Sequence, residues 1–159
     1  MATFLKDVIE LAVAIEHECA AVYEVFARRF ADDDEFSAFW RLYAEAERYH
    51  GATIRIHQAT FGQGPVADGD QFNAEAEASE HFLEQLRAWR AKFGSGALTR
   101  AEAFAVAKQI EESTAELHGR TQFFKLYPRF QELFQRMNEE DTQHREMLGD
   151  AQKRFSKSR

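Results

Sequence analysis

The chain has 159 residues, enough for one domain with a single sizeable core and too few for two ordinary ones. Hydrophobic residues make up 45% of it, with 15 Phe and only 2 Pro, which excludes a disordered chain and leaves few obligatory breaks in helices. The net charge of −7 and a pI near 5.4 make nucleic acid an unexpected partner, because the one basic run near an aromatic is the short Arg87 to Lys92 stretch around Trp89.

Cys19 is the only cysteine, which rules out an internal disulfide or a Cys-x-x-Cys metal knuckle and fits a reducing, cytoplasmic compartment. Lys6, Asp7 and Glu10 interrupt any apolar run at the start, so neither a signal peptide nor a membrane span is expected.

The first long segment, Thr3 to Phe30, places Ile9, Ala12, Val13, Cys19, Ala20, Tyr23, Phe26, Ala27 and Phe30 on one helical stripe, with Glu16 in its middle. Asp32, Asp33 and Asp34 then supply acids suited to a helix start. The second amphipathic run reaches about Phe61, and its inner stripe reads Phe36, Phe39, Trp40, Tyr43, Glu47, His50, Gly51, Ile54, Phe61. Gly62 to Gly69 is the clearest loop, followed by a further helix from Asn73 to Phe93 that Gly94-Ser-Gly96 ends. Residues 62–98 thus form a crossover. Thr99 and Glu102 match a capping box opening a helix to about Phe124, and Pro128 forces a new start. The last helix runs to about Phe155 with the stripe Phe130, Leu133, Met137, Asp141, His144, Leu148, Ala151, Phe155, before a frayed tail. One all-α domain over residues 1–159 is expected: two helical pairs, each joined by a short turn, form a four-helix bundle with an extra helix in the long crossover between its second and third helices.

The same chemical pattern occurs twice in that frame. Glu16 is followed about thirty residues later by Glu47-Arg-Tyr-His50, and Glu111 by Asp141-Thr-Gln-His144. A carboxylate with His at i+3 puts both side chains on one helix face, so two such helices and two single-acid helices can converge four acids and two imidazoles. A single Glu-x-x-His usually decorates a solvated face, but here all six residues interrupt apolar stripes and recur in order. Buried acids that face one another are costly unless a cation binds them, and two divalent ions would balance four carboxylates. Mixed carboxylate and imidazole ligation suits iron, with manganese as the alternative. A metal-free structural bundle is the bland reading.

The chain resembles a rubrerythrin of the ferritin-like di-iron carboxylate superfamily across its four long helices, through Glu16-His-Glu-Cys-Ala-Ala-Val-Tyr23 and Glu47-Arg-Tyr-His50. The resemblance implies two irons on Glu16, Glu47, His50, Glu111, Asp141 and His144, with reduction of hydrogen peroxide or dioxygen in oxidative-stress defence. A ferroxidase or iron-handling role and an oxygenase are alternatives. It also implies a homodimer and, since the paired Cys-x-x-Cys motifs of a rubredoxin-type domain are missing here, a separate electron-donor protein. Thr114 stands where the family commonly has a second helix-three glutamate, which brings the ligand set closer to the ferroxidase centre of bacterioferritins. Asp141 stands where glutamate is usual and reaches one methylene less far; Glu140 is the less favoured substitute. Tyr23 and His118, each seven residues beyond a single-acid glutamate, read as hydrogen-bond partners of ligand carboxylates, the alternatives being a core ring for Tyr23 and an extra ligand or a backbone-bonded imidazole for His118, while Cys19 and His57 read as structural.

Overall fold

The computed structural model describes residues 5–61, 69–119 and 128–156, and all five elements in them are α-helices: α1 (Leu5–Arg29), α2 (Asp34–Phe61), α3 (Gly69–Ser95), α4 (Arg100–Gly119) and α5 (Pro128–Phe155). No strand occurs among the described residues, as the helical periodicity of the sequence requires. α1 packs on α2 and α3, α4 packs on α5, and α2 also meets α5.

Local chemistry fixes most helix starts. The Asp33 carboxylate accepts the Phe36 backbone N–H at 3.0 Å and caps α2. At the start of α4 the Thr99 backbone N–H donates to Glu102 Oε2 at 2.9 Å while the Glu102 N–H donates to Thr99 Oγ1 at 3.2 Å, the reciprocal capping box its sequence implies. Pro128 opens α5, where its missing N–H costs nothing. α3 starts at Gly69, four residues before the expected Asn73, because glycine is tolerated at a helix entrance and need not mark a loop. The loop expected at residues 62–68, the end of the helix expected to reach Phe124, Thr3 and Phe4, and the tail beyond Ser156 lie outside the described residues.

Polar ties set how the helices meet. Arg100 donates to Asp33 Oδ2 at 2.5 Å and to the Phe155 carbonyl at 3.3 Å, holding the start of α4 against the α1–α2 turn and the end of α5. Arg90 of α3 pairs with Glu18 of α1 at 2.5 Å, and Arg48 of α2 pairs with Glu24 of α1. At Gly51, α2 approaches α1 so closely that a Cβ there would stand 3.3 Å from the Glu16 Cβ and 2.9 Å from the His17 ring.

The apolar interior falls into two clusters. The larger includes Ile15, Val22, Phe26, Phe36, Trp40, Leu86, Phe93, Phe104 and Phe155, and the smaller comprises Val8, Ile9, Ala12, Val13, Ile54, Phe130, Leu133, Phe134 and Met137. Along α2 and α5, Glu47 and Asp141 fall between members of the two clusters, and on α1 Glu16 lies near the same junction, after Val13 of the smaller cluster and beside Ile15 of the larger. Among the described residues, Glu16, Glu47, His50, Glu111, His118 and Asp141 thus bring a buried polar layer into the apolar interior.

Candidate metal centre

Glu16, Glu47, His50, Glu111, His118 and Asp141 are all buried, an arrangement that apolar packing alone never selects. His144 is only slightly open, with 17% of its side chain exposed. Helical spacing explains the convergence: Glu47 and His50 lie one turn apart on α2, and Asp141 and His144 one turn apart on α5.

Ligand atoms collect into two overlapping groups, Glu16 with Glu47 and His50, and Glu47 with Glu111 and His144, each set lying within 4.8 Å of one another. Glu47 belongs to both. Glu16 Oε2 lies 3.6 Å from His50 Nδ1, Glu111 Oε2 lies 3.6 Å from His144 Nδ1, and all four atoms are buried without a hydrogen-bond partner. Buried polar atoms are rarely left so. A gap of 3.6 Å is long for a hydrogen bond, whereas two ligand bonds of about 2.1 Å to a shared cation span it. The donor set thus fits one divalent ion in each group, with Glu47 available to both.

The other oxygens of the terminal acids are held. Tyr23 donates its hydroxyl to Glu111 Oε1 at 2.6 Å, and His118 Nε2 donates to Glu16 Oε1 at 2.9 Å. These are the two residues that stand seven positions beyond Glu16 and Glu111 in the sequence repeat. Tyr23 is fixed in turn by stacking on Trp40, with centroids 5.8 Å apart. His118 does more than Tyr23, because its Nδ1 also reaches Asp141 Oδ2 at 2.6 Å. Asp141 consequently stands in neither ligand group. Its side chain is engaged by His118. Thr114 offers no carboxylate, and its hydroxyl returns to the Ile110 and Glu111 carbonyls.

Two further residues orient the histidines. Glu140 Oε2 accepts from His50 Nε2 at 2.8 Å, leaving Nδ1 directed at Glu16 and Glu47. Tyr43 donates to the His144 carbonyl at 2.7 Å with its ring 5.4 Å from the imidazole. Glu140 thus contacts His50 rather than substituting for Asp141. Its position beside Asp141 gave no sign of this, since adjacent helical residues point about 100° apart. Cys19 is buried in the larger apolar cluster, and His57 returns to the Thr53 carbonyl at 3.0 Å.

Electrostatics follow from burial among acids. Burial would lower the basicity of His50, but Glu16 and Glu47 outweigh it and push the imidazole up to about 12. His118 is likewise lifted against its burial, to about 9, by Asp141 and Glu16. Burial alone would raise the Glu16 carboxyl, yet His118 and His50 hold it below the ordinary range. Burial, then the Glu16 charge, keeps Glu47 well above it. Burial also raises the Tyr23 hydroxyl and the Cys19 thiol, with the surrounding acids adding to the effect. Protons therefore serve as the layer's counter-charges in the metal-free protein, and a bound cation would displace them.

Fold and layer together define an all-helical protein with buried glutamate and histidine clusters that could hold metal. No helix among the described residues is long and apolar enough to cross a membrane. The chain matches no protein-family model, no curated protein and no solved structure.

Proposed function

We propose that this chain is a dinuclear metal protein of the rubrerythrin-like, ferritin-like kind, binding two iron ions and reducing hydrogen peroxide or dioxygen with electrons from a separate donor protein. What carries the reading is the pair of unsatisfied buried contacts, Glu16 Oε2 with His50 Nδ1 and Glu111 Oε2 with His144 Nδ1, on either side of the shared Glu47. In this reading α1, α2, α4 and α5 are the four bundle helices and α3 is the extra crossover helix. Carboxylate and imidazole donors suit iron and manganese alike.

Two ferrous ions bound here would supply the two electrons, and solvent the two protons, that convert one hydrogen peroxide to two waters. The protein's own contributions are positional. Glu47 reaches both positions, His50 and His144 direct Nδ1 toward the acids and would bind through it, and Tyr23 donates its hydroxyl to Glu111 Oε1. Glu16, Glu47, His50 and Glu111 are themselves buried, and Trp40 and Phe26 pack on Tyr23 beside Glu111, which limits water there.

A ferroxidase or iron-handling role is the second reading, favoured by Thr114: with its hydroxyl turned to backbone carbonyls, there is no carboxylate one turn after Glu111. Anaerobic titration of the metal-free protein with ferrous iron tests the common premise. Two ions per chain support the dinuclear centre, and none sinks it in favour of a structural bundle. Mixing the loaded protein with peroxide and a reductant then separates the two readings, since a peroxidase turns over and a ferroxidase accumulates ferric iron.

A further inference from the structure

The two ligand groups share Glu47 and each has one terminal glutamate held by a hydrogen bond, so their difference lies in the histidines. His50 has 2% of its side chain exposed, and its Nε2 is bonded to the Glu140 carboxylate at 2.8 Å. A carboxylate on the outer nitrogen fixes the ring's tautomer and orientation and raises the basicity of the inner nitrogen, which strengthens it as a ligand. His144 is 17% exposed, and among the described residues no carboxylate is within hydrogen-bond distance of its Nε2. Its ring packs on the His50 ring, with centroids 5.8 Å apart, and on Tyr43, whose hydroxyl binds the His144 backbone and not the imidazole. The His118 link adds to the inequality, since it fastens Glu16 and Asp141 together beside the first group.

We infer that the two metal positions are unequal: the group of Glu16, Glu47 and His50 is the tight site, the group of Glu47, Glu111 and His144 is the exchangeable one, and Glu140 is the positioning residue that sets the difference. This rests on the dinuclear reading above. Glu140 touches neither metal position itself; it acts through His50. Its side chain is 46% exposed, so its replacement leaves the core intact.

Cobalt(II) is the probe, titrated anaerobically into the metal-stripped protein and followed by calorimetry and visible absorption, with exchange against a chelator as a second readout. Wild type is expected to bind in two steps at least tenfold apart and to release one ion quickly and the other slowly. Glu140→Ala should weaken the tight step by about 10- to 100-fold, the usual effect of losing an outer-shell partner, and leave the weak step in place. Glu140→Gln, which keeps an acceptor without the charge, should fall between, and Glu139→Ala on the exposed neighbour should match wild type. Two equal steps in wild type, or an unchanged tight step in Glu140→Ala, overturns the inference while leaving the dinuclear reading standing. If no cobalt binds, both fail.

Discussion

Glu47 is the one residue common to both ligand groups, so a single isosteric change there should remove both metals, whereas the same change at Glu16 or Glu111 should remove one. Glu47→Gln keeps the volume and one acceptor oxygen. In the metal-free protein burial and the Glu16 charge already favour the neutral form of Glu47, so the amide should alter stability by less than about 1 kcal/mol. The contrast appears on loading. An ion present at a hundred times its dissociation constant stabilises the fold by about 2.7 kcal/mol, and two such ions by roughly 5 kcal/mol. For a chain of 159 residues, 1 kcal/mol corresponds to about 3 °C in Tm, so full loading should raise wild-type Tm by roughly 15 °C. Glu16→Gln and Glu111→Gln should keep about half that shift, and Glu47→Gln little of it. Calorimetry of stripped and manganese- or iron-loaded protein, with metal counted by elemental analysis, measures it. A Glu47→Gln protein that keeps the wild-type shift, or loses no more than Glu16→Gln does, would refute the shared-ligand geometry.

Other consequences follow from the same contacts. Because the folded His118 titrates near 9 against 6.5 when free, its contribution to the metal-free protein is complete below about pH 6.5 and is lost as pH rises through 9, amounting to about 3 kcal/mol. Urea unfolding between pH 6 and 10 should show that fall, and His118→Phe should flatten it; a flat wild-type profile argues against the doubly bonded imidazole. Tyr23→Phe removes the donor to Glu111 Oε1 while leaving the ring on Trp40, and should cost about 2 kcal/mol, read by the same unfolding curves. Gly51→Val forces a branched side chain against the Glu16 Cβ, so it should destabilise by about 2 kcal/mol and weaken metal binding at the first position more than at the second. Equal weakening at both positions would show that the α1–α2 approach does not set Glu16.

Much of this protein is written locally. The Asp33 and Thr99 caps, the Pro128 start and the stripes of α1, α2 and α5 are decided by residues within a turn or two of one another. So is the pairing of Glu47 with His50 and of Asp141 with His144 on common faces, because three residues return a helix nearly to the same side. Even Tyr23 and His118, equivalent positions in the repeat, are legible as candidate partners of the acids, but that Tyr23 takes Glu111 and His118 takes Glu16 is decided by how the helices dock. What the sequence leaves undetermined is how each helix is rotated and how far apart the axes lie. Glu140 and Asp141 are neighbours pointing to different sides of α5; only the docking of α5 against α2 and α4 sends the first to His50 and the second to His118. The sharing of Glu47 likewise depends on the distance between helices far apart in sequence. Periodicity is a property of a few consecutive residues, whereas axial rotation and separation are set jointly by every side chain packed between the helices, down to the missing Cβ of Gly51.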